Sequence, residues 1–208
     1  MESRLQVLID SSRLLNKTLK YSADLIKSFK QISVDQITND IRSIDIQQYI
    51  NEIFLTNHNR LKILPVEVNI TSNKDEIIIN TSAGIFGQVF NNLIQNSIIH
   101  GFENIQKKAV INVDLIKEDE KLIIIYEDNG LGIEESIKDR IYEPFVTTKR
   151  NSGGTGLGLN IVYNLITQKL KGTLHLESTR NIGTKFIITI PNTNLDQGKI
   201  WNFYSLQY

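Results

Sequence analysis

The sequence predicts an α+β protein, built as a two-layer α/β sandwich with helices on one face of a mixed sheet and preceded by one long N-terminal helix. Three observations predict it. Short apolar runs with strand character recur from Ile44 onward, amphipathic helical stretches fall between them, and the two kinds do not follow the regular βαβ order of a doubly wound sheet. The 208 residues suffice for a domain of about 150 residues plus an appendage.

Taking the elements in order, apolar residues recur at steps of three and four from Leu5 to Phe29 (Leu5, Leu8, Leu15, Leu19, Ile26, Phe29), which is a heptad-like helix. A second stripe of Val7, Leu14 and Leu25 lies beside the first and points to burial on two sides, as in a helical hairpin or four-helix bundle. A helix packed on its own domain would carry a similar pattern. After a polar link, Ile44 to Ile46 reads as a short strand and Gln47 to Leu64 as an amphipathic helix stopped by Pro65. Val66 to Ile70 and Glu76 to Asn80 read as strands joined by the turn residues Ser72, Asn73 and Lys74. Ser82 opens a helix that runs to about His100. Val110 to Ile116 and Leu122 to Tyr126 form a hairpin across the charged turn Lys117 to Lys121. Arg140 to Lys149 is irregular, Asn151 to Gly158 is glycine-rich, Leu159 to Leu170 is helical, and Thr173 to Ser178 with Thr184 to Ile190 make a last hairpin.

Bulk properties narrow the function classes. Lysine plus arginine (23) balances aspartate plus glutamate (23), so no overall field draws in nucleic acid or an anionic membrane, and any phosphate site is local. With no cysteine, disulfides, thiolate nucleophiles and cysteine zinc sites are excluded. The apolar runs are far shorter than the roughly 18 to 20 residues that span a bilayer. The segment is therefore expected to work in the cytoplasm, whether or not a longer parent is membrane anchored.

Three stretches carry chemistry. In "NNLIQNSIIH" Asn92, Asn96 and His100 fall at successive steps of four and share one helix face, while Val89, Phe90, Leu93, Ile94, Ile98 and Ile99 fill the others. Amides in an apolar helix are costly to bury unless something binds them. An asparagine oxygen suits Mg²⁺, and an imidazole can donate to a phosphate. A solvated polar stripe would look the same. In "YEDNGLGIEE" Asp128 ends a strand, where its carboxylate can accept from an exocyclic amine such as that of adenine, and Gly130 and Gly132 allow backbone to approach a flat ligand. A surface turn fits this stretch equally well. "GGTGLGLN", Gly153 to Asn160, is a glycine-rich turn entering a helix, a place where backbone amides bind anions. It lacks the lysine of a P-loop and has Leu159 where G-x-G-x-x-G needs glycine, so a different phosphate cradle is required. Thr147, Thr148 and Lys149 before it supply hydroxyls and a cation.

In order and spacing, Ile44 to Pro191 resembles the ATP-binding catalytic domain of two-component sensor histidine kinases, within the superfamily shared with gyrase, Hsp90 and MutL-type ATPases. Asn92 to His100 is similar to the N box, Asp128 to Gly132 to the first glycine box, Pro144 to Lys149 to the F box and Gly154 to Gly158 to the second glycine box. The resemblance implies a Bergerat-type fold that binds ATP and Mg²⁺. It implies that Asn96 binds Mg²⁺, that Asn92 and His100 assist at metal and phosphates, and that Asp128 reads the adenine amine. Gly130, Gly132, Thr148, Thr155 and Leu157 join the nucleotide-binding set, with Gly154, Gly156 and Gly158 holding a mobile lid and Lys149 touching phosphate. Asn92, His100 and Lys149 then stand at the chemistry. Gyrase-type ATPases have a glutamate base where this chain has Asn92, and an amide takes no proton from water at neutral pH, so hydrolysis is expected to be weak. Phosphoryl transfer to a protein histidine is the expected reaction.

"SADLIKSFKQISVDQ" is similar to the second helix of the family's dimerisation and phosphoacceptor hairpin. The division expected is therefore 1–36 for this partial hairpin, 37–195 for the ATP-binding domain and 196–208 for a tail of unassigned role bearing Trp201, Phe203, Tyr204 and Tyr208. The family's acceptor histidine lies on the first hairpin helix, yet no histidine precedes His58, and neither His58 nor His175 takes that role. The chain is thus read as a fragment whose acceptor helix is missing, the alternative being a protein that binds ATP and phosphorylates, or regulates, another chain. Expected partners are ATP, that helix, a response regulator receiver domain and a second copy paired through the N-terminal helix. Alternative readings are a serine kinase of the anti-sigma type and a regulatory ATP-binding scaffold.

Overall fold

The structure, a computed structural model, describes residues 41–58, 61, 64–149 and 154–192, together with 6, 11, 12 and 15. Those four are helical and exposed. The rest of the expected N-terminal helix, and the tail 196–208, lie outside the described residues.

The ordered elements are strand β1 (Ile41–Asp45), helix α1 (Ile46–Thr56), strands β2 (Val66–Ser72) and β3 (Ile78–Ser82), helix α2 (Ala83–Asn96), strands β4 (Ala109–Lys117) and β5 (Lys121–Asp128), short helix α3 (Glu135–Lys138), helix α4 (Gly158–Asn164), and strands β6 (Thr173–Thr179) and β7 (Gly183–Pro191). Helix α2 runs on into a π-helical turn at Ser97–Gly101, and α4 into one at Leu165–Lys169. Five strands form a mixed sheet in the order β2-β4-β5-β7-β6, in which only β2 and β4 run parallel. Strands β1 and β3 form a separate antiparallel ribbon. The predicted two-layer sandwich is what is found.

Period-two alternation builds the interface between the layers. Ile111, Val113 and Leu115 of β4, Leu122, Ile124 and Tyr126 of β5, and Phe186, Ile188 and Ile190 of β7 all point to the helix side and are buried. Helix α2 answers with Ala83, Phe86, Val89, Phe90, Leu93 and Ile94, the stripe expected of a 3.6-residue period. Phe90 links the layers, edge-on to both Phe54 of α1 (6.4 Å) and Tyr126 (6.3 Å). Each such side chain contributes about 1.5–3 kcal/mol on burial. The same alternation carries β5 one step past Tyr126 and places Asp128, a carboxylate, where the pattern calls for an apolar residue.

Several boundaries differ from expectation, each for a local reason. Ile46 belongs to a helix rather than to the strand predicted at Ile44 to Ile46, because Asp45 caps it, accepting from Gln47 N at 2.9 Å and Gln48 N at 3.4 Å. Helix α1 is interrupted at Asn57, which folds its amide onto Ile53 O (2.9 Å) and reaches Asn91 Oδ1 (2.7 Å), and His58 and Leu61 beyond it are again helical, with Leu61 N donating to Asn57 O at 3.1 Å. The turn at Ser72 to Lys74 exists, but the strands on either side pair elsewhere, β2 with β4 and β3 with β1.

Candidate nucleotide site

All four stretches that sequence reasoning singled out open onto one cavity between α2, the end of β5 and the loops leading to α4. Asn92, Asn96, His100, Asp128, Gly132, Thr148, Lys149, Gly154, Thr155, Gly156, Leu157 and Gly158 line it. Gly130 is buried and does not.

At its deep end, both carboxylate oxygens of Asp128 are held. Gly130 N donates to Oδ1 (2.9 Å) and Ser97 Oγ to Oδ2 (2.7 Å). The Ser97 hydroxyl proton is spent there, so Tyr126 must donate to Ser97 Oγ across their 2.9 Å contact. This buried chain fixes the carboxylate while each oxygen keeps a further lone pair for a ligand's amine. Burial raises the Asp128 pKa, opposed by the bonds from Ser97, Gly130 and the Thr184 backbone.

The glycines of the first box make their close approaches to protein rather than only to a ligand. A methyl on Gly130 would lie 2.6 Å from the Gly101 backbone, and one on Gly132, whose φ is +68°, would lie 2.3 Å from Thr179 O. Leu131 N donates to Gly101 O at 2.8 Å, and Asn181 N to Leu131 O at 2.7 Å, so this loop ties the π-turn of α2 to the β6–β7 hairpin. Gly132→Ala is expected to cost about 2–5 kcal/mol, from left-handed strain plus overpacking. A urea midpoint equal to that of the parent chain would contradict this.

Along α2, Asn92 spends its Nδ2 on Gln88 O (2.9 Å). Its Oδ1 and that of Asn96 lie 3.3 and 3.4 Å from the position a Cβ would take on Gly158, at the start of α4. Asn96 Nδ2 is buried without a hydrogen-bond partner. Two amide oxygens and an orphaned amide nitrogen thus meet at a helix start, where a side chain on Gly158 would press on both asparagines. Among the described residues no group of three or more His, Cys, Asp or Glu side chains is placed to hold a metal, so a cation here would rest on amide oxygens and on ligands brought by a nucleotide.

The rim is built by the segment before the glycines. Phe145 N donates to Gly156 O (2.9 Å), both residues have a φ of +68°, and a methyl on Gly156 would lie 2.5 Å from the Phe145 carbonyl carbon. Gly154 N donates to Lys149 O (3.0 Å), and Lys149 N to Thr147 Oγ1 (3.0 Å). The Lys149 amine is paired with Glu103. Burial, and then the charge of Lys149, lower the pKa of His100, which keeps its imidazole neutral near pH 7. Residues 150–153 of the expected lid lie outside the described residues.

Sequence reasoning missed Ser97, Gly101 and Glu103. Ser97 and Gly101 sit inside the π-helical turn, closed by Phe102 N to Ser97 O at 2.7 Å, and a helix read at 3.6 residues per turn gives them no distinguishing place. A lone serine in an apolar helix, five residues past Asn92, was the available signal.

Comparison with known proteins agrees with this geometry. The family described as "Histidine kinase-, DNA gyrase B-, and HSP90-like ATPase" matches residues 82–194, just over half of the chain. The chain is 30% identical over 148 residues to sporulation kinase A of Bacillus subtilis, covering 71% of this chain and 23% of that protein. It spans a minor part of the curated relatives it matches. Among solved structures, the catalytic domain of histidine kinase ThkA superposes with a TM-score of 0.63 at 24% identity, covering 74% of this chain and 98% of that domain. ThkA in complex with the response regulator protein TrrA gives 0.66 at 20% identity, covering 85% of this chain and 49% of that one. These structural likenesses show the fold. Among the described residues, no helix is long and apolar enough to cross a membrane. With the family match, the shared fold and four motif segments on one cavity, the chain belongs to the histidine kinase, DNA gyrase B and HSP90-like ATPase family.

Proposed function

We propose that this chain is the catalytic region of a two-component sensor histidine kinase, which binds Mg-ATP and transfers the γ-phosphoryl group to a histidine not found in this chain. The observation that carries the reading is the convergence of four separately encoded segments on one cavity with a carboxylate at its deep end and amides, imidazole, hydroxyls and a lysine toward its mouth. In this reading Asp128 accepts from the adenine amine. Gly132 and the backbone from Gly154 to Gly158, with Thr148, Thr155 and Leu157, shape the nucleotide bed, and Gly130 supports it from behind. Asn96, with Asn92, presents amide oxygens to Mg²⁺, and the orphaned Asn96 Nδ2 is free to donate to a phosphate oxygen. Mg²⁺, held there, would neutralise phosphate charge. His100, neutral near pH 7, donates a hydrogen bond to phosphate, and Lys149 contributes charge.

The division into 1–36, 37–195 and 196–208 accompanies this reading, with residues 1–36 as one helix of a dimerisation hairpin that pairs two copies in the cytoplasm. The receiver domain of a response regulator is the onward acceptor, by analogy with the ThkA complex. The test is to mix the chain with γ-labelled ATP, Mg²⁺ and a separate hairpin that bears the acceptor histidine. Acid-labile label on the hairpin, lost when its histidine is replaced by glutamine, is the expected result. ATP binding with no label on any histidine-bearing hairpin would leave a nucleotide-gated scaffold in its place.

A further inference from the structure

Glu103, the partner of Lys149, has no role in the function proposed above. Glu103 lies in a turn. It follows Phe102, which is wholly buried, and precedes Asn104, whose φ is +56°. Ile105 N closes the turn onto Phe102 O at 3.3 Å. From there its carboxylate meets the Lys149 amine at the cavity rim, with side chains 42% and 24% exposed. The other two carboxylates lining the cavity are engaged elsewhere, Asp128 with Ser97 and Gly130, and Glu134 with Arg180 at 3.7 Å. Glu103 is thus the anionic group that occupies the rim's lysine.

We propose that Glu103 is an affinity-setting residue, whose carboxylate holds Lys149 in the place a nucleotide phosphate must take and is displaced when a phosphate-bearing nucleotide binds. This rests on the ATP-binding reading above. Two physical effects act in the same direction. The nucleotide must break the ion pair to recruit Lys149, and the carboxylate it leaves behind repels the phosphates at short range. Because the pair is partly exposed, the combined effect is modest, about three- to tenfold in Kd at low salt, and it shrinks as salt screens both terms. Adenosine carries no phosphate and displaces nothing.

The experiment is calorimetric titration of the full chain and of Glu103→Gln with Mg-ATP and with adenosine, at low and high salt. Glutamine keeps the size and removes the charge. Tighter Mg-ATP binding by Glu103→Gln, unchanged adenosine binding, and a difference reduced to its salt-sensitive repulsive part in a Lys149→Met background are expected. Glu103→Ala should behave as Glu103→Gln does, which separates the charge effect from a packing defect. If wild type binds Mg-ATP and Glu103→Gln binds it equally well, the displacement idea is wrong; if the variant binds it more weakly, the idea is wrong and Glu103 is instead a support for Lys149. If the wild type does not bind ATP at all, the kinase reading itself has failed, a result distinct from the former.

Discussion

Asn96→Ala will abolish Mg²⁺-dependent ATP binding and leave the fold intact. The two halves of this expectation come from the same side chain. Asn96 Nδ2 is buried with no hydrogen-bond partner, an arrangement that costs about 1–3 kcal/mol in the unliganded protein. Alanine removes that orphaned group and is also the better helix former inside α2. The variant should therefore be as stable as the parent chain or slightly more so, by about 1 kcal/mol. A group that is unfavourable for folding is present for another reason, and the neighbouring amide oxygens at Gly158 supply one, a cation and its phosphates. Calorimetry with and without Mg²⁺ gives the functional half, and a urea titration gives the structural half. Wild-type affinity in the variant would remove the metal assignment; clear destabilisation would mean that the amide is satisfied in solution.

Asp128→Asn will weaken the preference for ATP over GTP by about tenfold or more, since a carboxylate fixed as an acceptor suits an exocyclic amine and rejects a carbonyl, whereas an amide can present either edge. If the variant still prefers ATP as strongly as the parent chain, the carboxylate does not read the base. Stability supplies an independent check through its pH dependence. Burial raises the folded-state pKa of Asp128 above its ordinary value of 3.8. The stability contributed by this group is therefore fully present below pH 3.8 and is lost as pH rises through the raised folded value. Asparagine has no such loss. The stability difference between variant and parent should grow in the variant's favour as pH rises from 3.8 and then level off, as read from urea midpoints across that range. A difference that stays flat would place the folded and unfolded pKa values together.

Much of the molecule was legible in the sequence because its periods are clean. The alternation in β4, β5 and β7 and the stripe of α2 fix which faces meet, and Asp128 stands out because it occupies a core position of that alternation. Less legible were the places where a tertiary partner overrides local pattern. The ribbon of β1 and β3 joins strands separated by a helix and by β2, and no turn signal announces such a pairing. The glycines of the first box read as room for a ligand, yet Gly130 and Gly132 are set against Gly101 and Thr179, contacts between residues far apart in sequence. Ser97 escaped notice because a π-helical turn shifts the face that a regular helix would present.

The shared amide, imidazole and glycine architecture leads to one central claim, that the cavity binds Mg-ATP and, having an amide at Asn92, does not activate water. Titrating the chain with ATP in the presence and absence of Mg²⁺, then following phosphate release in the same samples, tests it most directly. Mg²⁺-dependent binding with phosphate release far slower than in a gyrase-type ATPase is the predicted result. Absence of binding, or binding followed by brisk hydrolysis, would contradict it.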